Sequence, residues 1–162
     1  MKVLTIGVYG WDAGTFFAAL ERARADILID VRRRRAVRGP HYAFANARRL
    51  TAALQAHGIA YVHELELAPD AAMLGIQHAA DADAGLRYSQ RTSLAPEYLK
   101  RYRRILERFD FDELAQRLNG YRAPVLMCVE RIPQACHRGL VAPRLAQALG
   151  TRTVAHLSPD QA

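Results

Sequence analysis

Lysine is almost missing from this 162-residue chain: Lys2 and Lys100 are the only two among 23 basic residues. Arginine therefore carries nearly all of the positive charge. Cysteine is equally sparse, with Cys128 and Cys136 alone. Two thiols in a chain of this size do not make a disulfide framework, and a reducing, cytoplasmic setting is the expectation. No apolar run approaches the roughly 20 residues that cross a bilayer, so no membrane partner is expected. The opening MKVLTIGVYGWDAG has a short strand-like run in place of a signal-peptide core and cleavage site. Repeats, low-complexity tracts and linkers are lacking too, which leaves a single domain over 1–162.

The apolar content, 51%, is that of an ordinary globular protein. A formal charge of +7 carried by guanidinium groups suits an anionic partner, because their forked donors match phosphate and carboxylate. A compositional bias toward Arg and Ala accounts for it equally well. Net charge by itself speaks to solubility and nonspecific attraction.

Apolar runs and breakers alternate along the chain. KVLTIGV (2–8) reads as a strand, followed by a helix over about 13–24 with Asp12 as its cap. DILIDV (26–31) is a short apolar run of the kind buried on both faces. The basic loop RRRRAVRGPHYAF follows, then a helix capped by Asn46 and closed at Gly58, then the strand IAYVH (59–63). Residues 64–93 read as an irregular or mobile connection with at most one helical turn. Pro96 opens a helix, a second covers about 111–118, and PVLMCV (124–129) is the fourth strand. A helix over 138–149 closes at Gly150, and TVAHL (153–157) is the fifth strand. This order predicts an α/β fold: one three-layer α/β/α domain, Rossmann-like, with a mostly parallel sheet of roughly five strands.

In such sheets ligands bind beyond the carboxyl ends of the strands. The segments to inspect are then Tyr9–Trp11, Arg32–Tyr42, His63–Glu66 and Glu130–Arg138. In CVERIPQACHR (128–138), Cys128 lies in an apolar strand and reads as core. Cys136 stands where a loop enters a helix, beside His137 and Arg138, a setting that favours thiolate. A reactive or ligating role for it and a structural one are both open. The loops of phosphatases and rhodaneses place arginine six residues after the cysteine; six after Cys128 is Gln134, so that mechanism is rejected. No metal is assigned. The alternative is a metal site of Cys128, Cys136 and His137, with His63 arriving from another strand. The eight-residue separation of the cysteines exceeds usual zinc spacing, and adjacent Cys and His seldom both face one ion.

Asp30 ends its strand just before Arg32 and is placed to orient an arginine, to act as a base, or to anchor the following loop. Glu130 follows its strand in the same way, with Arg131 and Arg138 as partners. His63 stands ready for proton transfer near neutrality or for a backbone carbonyl. Arg32–Arg35 with Arg38, His41, Tyr42 and Phe44 mix cations with aromatic rings, which suits phosphates and stacked bases and equally suits a solvated loop.

The stretches TIGVYGWDAGTFFAAL, ILIDVRR, GIAYVHELEL and MCVERIPQACHRGLVAPRL followed by VAHL, in this order, resemble the domain-of-unknown-function family 488. The likeness runs over nearly the whole chain and is weakest in 68–93. It implies an α/β sandwich with the second and fourth strand ends facing one cleft. The signature positions it implies are Asp30, Arg32, Tyr61, His63, Cys128, Glu130, Cys136, His137 and Arg138. The chain departs from the family at Val8-Tyr9-Gly10 and in HELELAPDAA after the third strand.

The expectation is an enzyme-like cleft for a phosphate-bearing or otherwise anionic ligand, such as a nucleotide. Arg32, Arg138 and the helix start near Cys136 hold the anion, with Tyr9 and Tyr42 as further ligand contacts. Asp30 and Glu130 orient the arginines, His63 or His137 moves a proton, and Cys136 is the nucleophile if its thiol faces the cleft. Two alternatives stand beside it: a noncatalytic nucleic-acid-binding module that uses the arginine surface, and the metal-binding protein. Neither a reaction nor a cofactor follows from the sequence.

Overall fold

Three of the apolar runs are buried along their whole length: Val3–Gly7 (β1), Ile27–Asp30 (β2) and Pro124–Cys128 (β4). Ala60–His63 (β3) and Val154–Leu157 (β5) are only half-buried. The sheet order β3-β2-β4-β1-β5 explains this division, since the two half-buried strands are its edges. Every pairing is parallel, with Leu4 opposite Val125, Leu28 opposite Val125 and Tyr61, and Leu4 also opposite Ala155. Parallel sheets need cover on both faces, and the helices supply it. A computed structural model describes residues 1–87 and 90–161.

One face packs against Ala13–Arg22 (α1) and Ala47–Ala56 (α2), with Phe16, Phe17, Leu20, Leu50 and Leu54 against Leu4, Ile6, Leu28 and Val125. The other packs against Ala71–Asp83 (α3), Pro96–Arg108 (α4), Phe111–Arg117 (α5) and Arg138–Ala148 (α6). Met73, Tyr98, Tyr102, Leu114, Val141 and Leu145 meet Ile27, Ile29, Leu126 and Cys128 there. The three-layer α/β/α architecture expected from the alternating elements is thus the one observed, and its sheet is wholly parallel.

Local signals hold at several ends. Asp12 Oδ1 accepts from Thr15 N at 2.8 Å and Thr15 Oγ1 accepts from Asp12 N at 3.2 Å, a reciprocal capping box that starts α1. Asn46 does occupy the residue before α2, but its side chain accepts from Val37 N at 2.8 Å and ties down the basic loop instead of the helix. The larger difference lies in 64–93. A 13-residue helix, α3, runs through the stretch expected to be irregular, with Asp70 accepting from Met73 N at its start. Its buried positions include Gln77 and Asp81, so its inward stripe is polar and the usual apolar periodicity is weak. Residues 88 and 89 of that connection lie outside the described residues. Among the described residues no helix is long and apolar enough to cross a membrane.

Candidate functional site

The chain leaves β1 and β2 toward α1 and α2 on one face, and leaves β4 toward α6 on the other. Adjacent strands β2 and β4 therefore send their exit loops apart, which is the arrangement that opens a crevice at carboxyl ends. The side chains there form three groups, linked through backbone carbonyls.

The first is built on Asp30, the last residue of β2 and fully buried. Its Oδ1 accepts from Arg32 Nε at 2.9 Å and Arg32 N at 3.1 Å. Its Oδ2 accepts from Arg32 Nη2 and from the Tyr61 hydroxyl, each at 2.8 Å. The carboxylate is thereby satisfied, and the fork of Arg32 is fixed. Arg32 is 2% exposed and its buried Nη1 has no hydrogen-bond partner among the described residues. Tyr61 also accepts from Arg35 Nη1 at 3.5 Å; burial, chiefly, and the nearby Asp30 charge raise its hydroxyl above 10.0 despite the Arg35 bond.

The second group joins β4 to α6. Cys128 ends β4, Cys136 is extended, and His137 turns into helical backbone. His137 Nδ1 comes within 3.9 Å of both Cys128 Sγ and Cys136 Sγ. The three atoms lie within 4.8 Å of one another and all three residues are buried. The other ring nitrogen, Nε2, donates to the Val31 carbonyl at 2.8 Å, since a carbonyl can only accept. The Tyr102 ring, tilted and 5.3 Å away, covers His137, while its hydroxyl donates to Leu67 O at 2.6 Å. Burial pushes the Cys136 thiol up, but the bond from Cys128 and the fields of His137 and Arg138 outweigh it and hold the group well below the ordinary thiol value. Cys128 goes the opposite way, raised well above it by its bond to Cys136 and by burial. Contrary to the expectation for neighbouring Cys and His, both turn toward a common point, because the backbone changes from extended at Cys136 to helical at His137.

The third group came with no local pattern in the sequence. Arg91 bonds Asp81 through Nε at 3.0 Å and Nη2 at 2.6 Å, and Asp81 also accepts from Gln77 Nε2 at 2.9 Å. The Nη1 of Arg91 stands 3.6 Å from Glu130 Oε1. All four residues are buried. A buried ion pair between residues ten apart leaves no periodicity to find.

Glu130 therefore faces Arg91 with its carboxylate. Arg138 reaches the same residue differently, donating to the carbonyls of Glu130 at 2.5 Å and Arg131 at 3.0 Å. Arg131 pairs with Asp160. His63 Nε2 donates to the Arg32 carbonyl at 2.8 Å, the backbone-anchoring arrangement that stood beside proton transfer. The Tyr9 and Tyr42 rings pack with centroids 5.2 Å apart at a tilt of 59°, and the Tyr42 hydroxyl accepts from Gly10 N at 3.4 Å. Burial, followed by the Glu130 charge, raises the Tyr9 hydroxyl, with Cys128 also contributing. The first turn of α6 has fewer free donors than a bare helix start, since Gly139 N and Leu140 N bond Cys136 O and His137 O. Of the arginine run, only Arg32 is buried; Arg33, Arg34, Arg35 and Arg38 are exposed. A cavity of about 350 Å³ between α1 and α2, lined by Phe17, His41, Phe44 and Arg49, includes none of the candidate catalytic residues.

These features define a parallel α/β protein with buried polar clusters and a buried Cys-Cys-His group at its strand ends. Residues 12–145 match the family described as Domain of unknown function DUF488, and the chain belongs to that family. Neither the curated proteins nor the solved structures contain a match to it.

Proposed function

We propose that the chain is an enzyme-like protein that takes a small phosphate-bearing or otherwise anionic ligand, a nucleotide being the representative case, at the carboxyl ends of β1, β2 and β4. The observation that carries this reading is Arg32. A guanidinium that is 2% exposed, oriented by Asp30 on two nitrogens and lacking a partner on the third among the described residues, is costly to keep unless something accepts from it. An anion at that nitrogen supplies the acceptor and a compensating charge. Tyr9 and Tyr42, after β1 and in the loop after β2, offer ring faces to the ligand, and Arg138 adds positive field at the helix start. His63, His137 and Cys136 remain the groups for proton transfer or attack; their hydrogen bonds favour positioning of the loop as their first role. Two free thiols fit a reducing, cytoplasmic setting.

Calorimetric titration with phosphate, pyrophosphate and nucleoside mono-, di- and triphosphates tests this. One of them binds stoichiometrically to wild type, and Arg32→Lys, which keeps the charge but loses the fork, weakens binding at least about tenfold, the order expected for a charge-assisted pair. Absence of binding across the panel, or an unchanged affinity in a folded Arg32→Lys variant, rejects the reading. Binding of single-stranded oligonucleotides whose affinity falls steeply with salt, and is reduced by substituting Arg34, Arg35 and Arg38, favours the noncatalytic nucleic-acid module instead.

A further inference from the structure

We propose that Cys128 Sγ, Cys136 Sγ and His137 Nδ1 form a binding site for a zinc-class divalent ion, with the fourth coordination position left open. The inference stands on residues separate from Arg32 and does not depend on the anionic-ligand reading; with the ion bound, Cys136 and His137 serve as ligands, and of the three groups named for proton transfer or attack His63 alone is left.

Geometry comes first. Zinc bonds thiolate at about 2.3 Å and imidazole at 2.0–2.1 Å in a tetrahedron, which sets the sulfur–nitrogen edge near 3.6 Å. Both sulfur–nitrogen edges here measure 3.9 Å, so each must close by only about 0.3 Å. Orientation comes second. The Val31 carbonyl accepts from Nε2 at 2.8 Å, which turns Nδ1 toward the two sulfurs, the nitrogen a bound ion would take. That outer bond to a carbonyl is the usual support of a metal-ligating histidine, fixing both tautomer and ring plane.

The donors also select the ion. Two thiolates and an imidazole suit zinc and related borderline or soft ions, and are poor ligands for magnesium or calcium. Charge is accounted for as well. Arg138 lies next to the cluster, 1% exposed, and has no carboxylate within ion-pair distance among the described residues. A divalent ion with two thiolates is neutral overall, so it adds no net charge beside that cation. Up to two thiol protons leave to solvent as the two metal–sulfur bonds form. The remaining position follows from the count of ligands. No fourth His, Cys, Asp or Glu joins the group among the described residues, and three protein ligands with one open position is the pattern of reactive zinc sites.

The test is to express the full chain in zinc-supplemented medium, desalt it, and measure zinc by elemental analysis. About one equivalent is expected in wild type, with at least a tenfold loss in Cys128→Ser and Cys136→Ser, since even outer-shell changes cost about that much. Arg32→Lys should keep its zinc, which separates this result from the anion test. Cobalt(II) should give thiolate-to-metal charge-transfer bands in wild type that vanish in Cys136→Ser. Should the serine variants not fold, wild type decides alone: zinc must raise its Tm over chelator-treated protein and protect both thiols from alkylation. Less than a tenth of an equivalent after supplementation with no cobalt band, unchanged zinc in folded serine variants, or thiols equally reactive with and without zinc would each overturn the site.

Discussion

Arg138 holds Glu130 by its backbone and leaves its carboxylate to another partner: Nη1 donates to Glu130 O at 2.5 Å while Glu130 Oε1 faces Arg91 at 3.6 Å. With Nη2 on Arg131 O, one buried fork fixes two consecutive carbonyls of the β4 exit. The β2 exit is fixed in the same manner by two histidines, His137 on Val31 O and His63 on Arg32 O. The chemically conspicuous side chains at these strand ends first fix the exit loops.

Removing that fork should therefore unfold the β4 exit rather than merely discharge it. Arg138→Ala leaves the buried Glu130 carbonyl and the partly buried Arg131 carbonyl without that donor, at a cost of about 1–3 kcal/mol for the buried one and less for the other. A loss of about 2–5 kcal/mol in urea unfolding is expected by that reckoning. Arg138→Lys should recover less than half of it, because a single ammonium cannot span both oxygens with the same planar fork. Full stability of the lysine variant would show that charge alone matters there.

Gly7 allows the Glu130 carbonyl to approach β1. A Cβ at this position would lie 1.9 Å from Glu130 O and 3.1 Å from Arg138 Nη2. Gly7→Ala must push the β4 exit outward and strain the Arg138 bonds, at the upper end of the roughly 1–3 kcal/mol typical of overpacking or beyond it. Thermal unfolding of Gly7→Ala beside Gly75→Ala is the comparison, since nothing crowds a Cβ at Gly75. Equal Tm values would rule out the close approach.

The contrast between Gly7 and Ile29 marks how far the sequence could be read. Ile29, Leu126 and their neighbours declare buried strands by composition, and alternation with helices then dictates a covered parallel sheet. Asp30, Arg32, Glu130 and the Cys-His-Arg stretch were found because they follow strands, where the fold places ligands. Gly7 and Arg91 act through partners distant in sequence, Glu130 and Asp81, and nothing local announces those contacts. α3 escaped because its buried stripe is Gln77 and Asp81 with Met73, so the apolar period fails where the helix meets buried Arg91. The convergence of Cys136 and His137 depended on a change of backbone conformation within two residues, which spacing rules do not see.

Asp30 and Arg32 should behave as a single buried unit. Asp30→Ala leaves the guanidinium uncompensated and should cost about 3–5 kcal/mol, whereas replacing both as Asp30→Ala with Arg32→Met should restore most of it. A double-mutant cycle from urea midpoints measures the coupling. Additive losses would mean that the 2.8 Å bidentate contact contributes little. The same variants should lose the anionic ligand, so stability and binding separate only in Arg32→Lys.

His156 supplies a pH dependence of known sign. Its ring Nδ1 lies 2.8 Å from Thr5 Oγ1, and Thr5 is fully buried. Burial, and then repulsion from Arg138, lower its pKa below the ordinary 6.5. Between those two values the unfolded chain binds more protons than the folded one, so stability rises with pH across that window. The contribution is complete above 6.5 and is lost as pH falls toward the lowered value. The residue keeps substantial exposure, which makes the effect small. Urea midpoints between pH 5 and 7.5, a range around the ordinary histidine pKa, should decline toward acid in wild type and decline less in His156→Gln. The Cε1 proton of His156 should titrate below free histidine, and it should move back up in Arg138→Ala if that variant stays folded. A midpoint curve identical in wild type and His156→Gln would remove His156 as the cause.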